Sequence, residues 1–199
     1  GRESKIIPNG AFVEKNYHTN QLLQFGLESG KYIISVSRLI RLKGLQYLIP
    51  AFKEIKNENI KLAIVGDGEY GPELEKLASD DPRIIFTGNQ TGDVLDQLYT
   101  NASLFVQSSE MEGLSISLLE AMAHGLPCLV SEIVANRQAA ADTALYFESK
   151  NIDSLKNKLA EALNNQEKMK NLADKGKERA ETIFNWDQIS EETRKLYQK

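Results

Sequence analysis

Six short runs along the chain are apolar at nearly every position: YIISVS (32–37), KLAIVG (61–66), RIIFTG (83–88), SLFVQS (103–108), PCLVSE (127–132) and ALYF (144–147). Runs of this length that favour β-branched residues form strands, and a lack of polar alternation means that both faces of those strands are covered. Between them lie helical patterns, GLQYLIPAFKEIKN (44–57), GPELEKLASD (71–80), GDVLDQLYTN (92–101) and ISLLEAMAHG (116–125). Strand and helix in alternation predict an α/β fold: a doubly wound, mostly parallel, Rossmann-like sheet of about six strands with helices on both faces. Pro50 should kink the first helix or lie near its start. Beyond residue 150, Ile152, Leu155, Leu159 and Leu163 recur at helical spacing, which predicts a helical C-terminal tail. FNWDQISEETRKLYQK (184–199) closes it, with Asp187 placed to cap a helix and Trp186 to anchor it by packing. The first thirty residues carry little pattern beyond a turn signal at Asn9 and Gly10.

A chain of 199 residues, 41% hydrophobic, is long enough for one main domain with a sizeable core. Its 28 acidic against 24 basic residues disfavour nucleic acid as the principal partner. Cys128 is the single cysteine, so no intramolecular disulfide can form, and with only His18 and His124 there is no zinc-binding pattern. No apolar run approaches the roughly 18 residues of a membrane span. The expected location is the cytoplasm, with peripheral attachment to the inner face of a membrane left to segments outside these residues. Cys128 reads as a small buried hydrophobe, and His18 as an exposed surface residue. His124 sits in the last turn of its helix, with Gly125 as the left-handed residue after it.

In a doubly wound sheet, ligands settle in the loops that follow the carboxyl ends of the strands. SRLIRLKG (37–44) places Arg38, Arg41 and Lys43 in one such loop. Guanidinium and ammonium groups together can neutralise a diphosphate, although three solvated cations on a surface turn would look the same. VGDGEYG (65–71) brings Gly66 and Gly68, which either let the backbone approach a ligand closely or simply punctuate a βα turn. Thr87, Gly88 and Asn89 end a third strand and can meet a base through backbone groups. In EMEGLSISLLEAMAHGLP (110–127), Leu118, Met122, Leu119, Ala123 and Ile116 form one apolar arc with Glu120 at its edge. Free N–H groups near Gly113 to Ser115 would attract an anion, with Glu112 beside it and Glu120 roughly 9 Å along the axis. A carboxylate accepts hydrogen bonds from vicinal hydroxyls, which suits a ribose or hexose diol. An acidic first turn and an ordinary rim glutamate would share this pattern.

Taken in order, these segments resemble the C-terminal half of the retaining family 4 (group 1) glycosyltransferases, which have the two-domain GT-B architecture. The likeness runs nearly the full length. IIPNG (6–10) is similar to the segment that joins the family's two domains, and SRLIRLKGLQYLIPAF to its Arg-x4-Lys phosphate motif. LAIVGDGEYGPELEKLA resembles the second βα unit, FTG the base-side loop, EMEGLSISLLEAMAHGLPCLVSE the E-x7-E signature and FNWDQISEETRKLY the closing helix.

The resemblance implies that Arg38 and Lys43 hold the diphosphate of a UDP- or GDP-linked sugar without an obligatory metal or other cofactor. Glu112 would touch the donor sugar, Glu120 the ribose, and Gly113 and Leu114 would offer N–H groups to the phosphates. Gly66, Gly68, Thr87 and Gly88 complete the implied nucleotide site. The implied partners are a nucleotide sugar, a glycan or lipid-linked acceptor, and an N-terminal domain that lies outside these residues and carries the acceptor site. ANRQAA (135–140) departs from the family's usual Pro-Glu pair, Leu114 from a frequent aromatic and Ser115 from a frequent glycine. Two rival readings are an epimerase of nucleotide sugars on a similar half-fold and a non-catalytic nucleotide-binding module.

Overall fold

In the computed structural model, residues 9–11 and 15–197 are described. The IIPNG segment therefore lies mostly outside the described residues. The six predicted strands are present as β1 (Tyr32–Val36), β2 (Lys61–Val65), β3 (Ile84–Gly88), β4 (Leu104–Gln107), β5 (Cys128–Ser131) and β6 (Leu145–Phe147). All pair in parallel, in the order β3-β2-β1-β4-β5-β6. The chain starts in the middle of the sheet, winds outward through β2 and β3, and returns to lay β4 on the other side of β1. The order thus reverses between β1 and β4, and a crevice opens there beyond the strands' carboxyl ends.

Helices α1 (Leu45–Lys53), α2 (Gly71–Ala78), α3 (Gly92–Thr100), α4 (Ile116–Ala123), α5 (Val134–Ala140), α6 (Ile152–Asn164), α7 (Gln166–Ile183) and α8 (Trp186–Tyr197) connect and cover the strands. Successive side chains of a strand point to opposite faces, so each strand feeds two cores. Ile33, Leu62, Ile64, Leu104 and Val106 pack with Leu48, Phe52, Leu74, Leu155 and Leu159 on one face. Tyr32, Ile34, Ala63, Val65 and Phe105 pack with Leu98, Leu118, Leu119, Met122 and Phe184 on the other. This double burial is why the strand runs show no polar alternation.

Several expectations shift. Pro50 is the sixth residue of α1, inside the helix and not near its start. α5 occupies the ANRQAA segment, which the sequence pattern did not mark as helical. α4 begins at Ile116 with Ser115 as its N-cap, Ser115 Oγ accepting from the Leu118 N–H at 3.4 Å. Its buried arc is Leu118, Leu119, Ala121 and Met122, while Ile116 is exposed. Asn185, not Asp187, accepts at the start of α8, from the Asp187 N–H at 2.9 Å, and Trp186 is 41% exposed. Cys128 is buried and His18 exposed, as expected. Gly125 closes α4 at φ 71°, with its N–H donating to Met122 and the Leu126 N–H to Ala121.

Candidate functional site

The loops after β1, β2 and β4 lock together at the switch point, and two glycines make this possible. Gly44 ends the β1 loop at φ 71°, and a Cβ there would lie 1.9 Å from the Ser108 carbonyl oxygen at the end of β4. Gly66 ends β2 at φ 133°, where a Cβ would lie 1.9 Å from the Ser37 carbonyl oxygen. Only glycine holds these conformations at such approach. Gly68 lies against the Leu39 carbonyl in the same manner, at 2.4 Å. Backbone bonds from Leu39 to Asp67 (2.6 Å), from Tyr70 to Leu39 (2.9 Å) and from Glu110 to Leu42 (2.8 Å) fix the loops, as does Ser108 Oγ donating to the Lys43 carbonyl (3.1 Å).

Within this frame Lys43 meets Glu112. Its Nζ donates to Oε1 at 2.6 Å and to Oε2 at 2.8 Å, with both side chains largely buried. Glu112 Oε1 also accepts from Ser109 Oγ at 2.7 Å and from Gln107 Nε2 at 3.0 Å. Behind these donors, Ser131 Oγ donates to the Ser109 carbonyl and Asn136 Nδ2 to Ser131 Oγ. Gln107 Nε2 also reaches Asn136 Oδ1 at 3.4 Å. Oε1 is thus the anchored oxygen of Glu112, and Lys43 is the one described donor to Oε2.

Arg38 is exposed and lines a cleft of about 150 Å³ together with Ser37, Gly66, Asp67, Asn89, Gln90 and Ser117. The cleft joins the β1, β2 and β3 loops to the first turn of α4. Thr87 is buried, its hydroxyl turned to the Gly88 carbonyl at 3.0 Å, and its own carbonyl accepts from Gln90 Nε2 at 2.6 Å. The Gly88 carbonyl accepts from the Gly66 N–H at 2.9 Å. Both carbonyls are therefore engaged, and Asn89 and Gln90 form the cleft wall on that side. Gly113 is exposed and Leu114 packs against the second core. Among the described residues, no acceptor engages the N–H groups of Gly113, Leu114 or Ser115. Arg41 lies apart, its guanidinium 6.0 Å from the centre of the Tyr70 ring.

Because α4 starts at Ile116, Glu120 stands only ~6 Å along the axis from the helix start, less than the sequence count gave. It does not line the cleft around Arg38. Its Oε2 accepts from Tyr99 Oη at 3.1 Å, and burial, with the Asp96 charge nearby, pushes its carboxyl pKa up while the Tyr99 bond opposes that rise. Sequence reading missed Tyr99, Gln107 and Asn136. A polar residue closing an apolar run, as Gln107 does in SLFVQS, was the available signal.

A larger cavity of about 560 Å³ lies at the opposite, amino end of the sheet, lined by Gly30, Ser103, Pro127 and Met169 among others. It lies away from the βα loops in which ligands of this architecture settle.

The profile of the family described as "Glycosyl transferases group 1" matches residues 23–179. An uncharacterized glycosyltransferase of Methanocaldococcus jannaschii is 31% identical over 84% of this chain and 44% of its own length. Among solved structures, sucrose-phosphate synthase from Thermosynechococcus elongatus superposes with a TM-score of 0.84 at 23% identity, over 98% of this chain and 52% of that one. HepE of Anabaena, in complex with UDP-glucose, gives 0.82 at 20% identity, over 90% and 52%. The two structures share the fold, and the chain spans about half the length of each of these proteins.

Proposed function

Because the chain belongs to the group 1 glycosyltransferases, we propose that it is the donor-binding half of a retaining GT-B hexosyltransferase that moves a sugar from a nucleotide diphosphate to a glycan or lipid-linked acceptor. The observation that carries this reading is the convergence at the switch point. Arg38 lines one cleft with the first turn of α4, and Lys43 and Glu112 meet on the loops that flank it.

A pyrophosphate would lie between Arg38, Lys43 and the unengaged N–H groups from Gly113 to Ser115. The two cations and the positive end of α4 would stabilise the charge that grows on the diphosphate as the glycosidic bond breaks, with no metal ion required. Glu112 would then hold sugar hydroxyls through Oε2, and Glu120, one turn along α4 from the cleft-lining Ser117, would meet the ribose diol where the nucleotide extends past that cleft. Gly66 and Gly68 would keep the β2 loop close to the nucleotide, and Asn89 and Gln90, in place of the engaged backbone carbonyls of Thr87 and Gly88, would face the base. The acceptor site belongs to an N-terminal domain of the whole protein, across the crevice.

Calorimetric titration with UDP, GDP and their glucose and mannose conjugates tests the reading. Binding that weakens at least tenfold in Arg38→Ala supports it. A folded chain that binds none of them at millimolar concentration refutes it. Epimerised sugar without transfer, from the full-length protein, would favour the epimerase alternative.

A further inference from the structure

Tyr99 lies in the last turn of α3 and is 1% exposed. Its ring stacks on the imidazole of His124, with centroids 5.1 Å apart and planes at 18°. The imidazole is itself held, with Nδ1 3.2 Å from Thr100 Oγ1 and Nε2 3.7 Å from Asp96 Oδ1. The Tyr99 hydroxyl is left at one position, 3.1 Å from Glu120 Oε2 and 3.3 Å from the Ser117 carbonyl. Those acceptors are one turn apart on α4, and Ser117 lines the cleft beside Arg38.

A glutamate on a helix rim normally samples several rotamers, and binding through it must then overcome that entropy. Tyr99 removes this freedom by fixing one carboxylate oxygen from a rigid, buried ring. Burial and the Glu120 charge push the phenol's pKa well up, so it remains a donor. Among the described residues, none donates to Glu120 Oε1.

We infer that Tyr99 is a positioning residue: it pins Glu120 Oε2 so that Oε1 is held ready to accept from the vicinal hydroxyls of the donor's ribose. The inference rests on the donor-site reading above. It makes ribose recognition depend on a side chain that itself touches no ligand.

Discrimination between ribose and deoxyribose isolates this role. Dissociation constants of UDP, GDP and their 2′-deoxy counterparts are measured for the wild type, Tyr99→Phe, Glu120→Ala and the double variant. Phenylalanine keeps the ring and its stacking and removes only the hydroxyl. The wild type should prefer the better-bound ribose nucleotide over its deoxy form on the order of tenfold, and Tyr99→Phe should reduce this to about threefold or less, leaving the deoxy form's affinity nearly unchanged. In the Glu120→Ala background, where the Tyr99 hydroxyl has no side-chain acceptor left, Tyr99→Phe should have no further effect on the preference.

An unchanged preference in Tyr99→Phe, or equal weakening of both forms, overturns the inference while leaving the donor site standing. No binding of any nucleotide by the wild type removes the donor site and this inference with it. If Tyr99→Phe does not fold, a crystal of the wild-type chain with UDP decides. A retained Tyr99–Glu120 bond with Oε1 on the ribose supports the inference, and a broken bond overturns it.

Discussion

Lys43 Nζ bridges both carboxylate oxygens of Glu112, at 2.6 and 2.8 Å, across the point where the strand order reverses. The cation comes from the loop after β1 and the anion from the loop after β4. Paired residues of the neighbouring strands β1 and β4 are 71 positions apart in sequence, Phe105 lying opposite Ile34 and Leu104 opposite Ile33, so the sheet alone brings the two loops together. The pair neutralises itself. A diphosphate entering the site would compete for Lys43, and Glu112 would stay in place through Oε1 while Oε2 became free for a sugar hydroxyl.

Lys43→Met keeps the length of the side chain and removes its charge. Glu112 would then be a mostly buried carboxylate with only Ser109 and Gln107 as donors, which should cost about 1–3 kcal/mol of stability. Nucleotide diphosphate affinity should fall tenfold or more. Urea denaturation and calorimetry read the two effects separately. Unchanged affinity in a folded Lys43→Met chain would exclude Lys43 from the phosphate site.

Ser109→Ala removes one donor to the anchored oxygen of Glu112 and touches neither Arg38 nor Lys43. The expected loss of stability is ~1 kcal/mol. Affinity for UDP or GDP alone should be preserved, whereas the extra affinity contributed by the attached sugar should shrink. A variant in which nucleotide and nucleotide sugar weaken by the same factor would show that Ser109 supports the loop and not the orientation of Glu112.

Much of this arrangement could be read from the residues. The strands were legible because double burial removes polar positions, and the loops because glycines and cations cluster after the strands. The helical run from Ile116 matched α4, but the span to Glu120 was counted from about two residues earlier, because Gly113 and Leu114 suit a helix opening as well as an extended turn does and only the Ser115 cap decides between them. α5 was missed because its seven residues bury only Asn136, Ala139 and Ala140, too short a stripe to show periodicity. Gln107 and Tyr99 were missed for other reasons. Tyr99 serves Glu120 on another helix, a tertiary pairing that leaves no local mark, whereas Gln107 serves Glu112 five positions on and its one signal was a polar residue late in an apolar run.

Gly44 and Gly88 separate backbone strain from steric contact. Both have φ near 70°, but a Cβ at Gly44 meets the Ser108 carbonyl at 1.9 Å while one at Gly88 meets nothing within 4 Å. Gly88→Ala should therefore cost only about 1 kcal/mol, the penalty of the left-handed backbone. Gly44→Ala should cost ~3 kcal/mol or more, or displace the β1 loop from β4 and weaken nucleotide binding as well. Equal losses in thermal denaturation would mean that the contact between these loops yields easily.

His124 supplies a pH dependence with a definite sign. Burial, with a smaller contribution from the Lys15 charge, pushes its pKa down to about 4 from 6.5. Around the ring stand Tyr99, Thr100 and Asp96, and the last of these is too exposed, at 3.7 Å, to offset the loss of hydration. Between pH 6.5 and 4 the unfolded chain binds a proton that the folded chain refuses, so stability is complete above pH 6.5 and declines as pH falls toward 4. The total loss from this group is about 3 kcal/mol. His124→Gln keeps a hydrogen-bonding group but does not titrate, so its stability should fall less than that of the wild type between pH 7 and 4.5, by roughly 2 kcal/mol. Denaturant midpoints of the two proteins across that range provide the measurement. Parallel curves would mean that the imidazole takes up its proton inside the fold, through Asp96, and that the Tyr99 stack tolerates a cation.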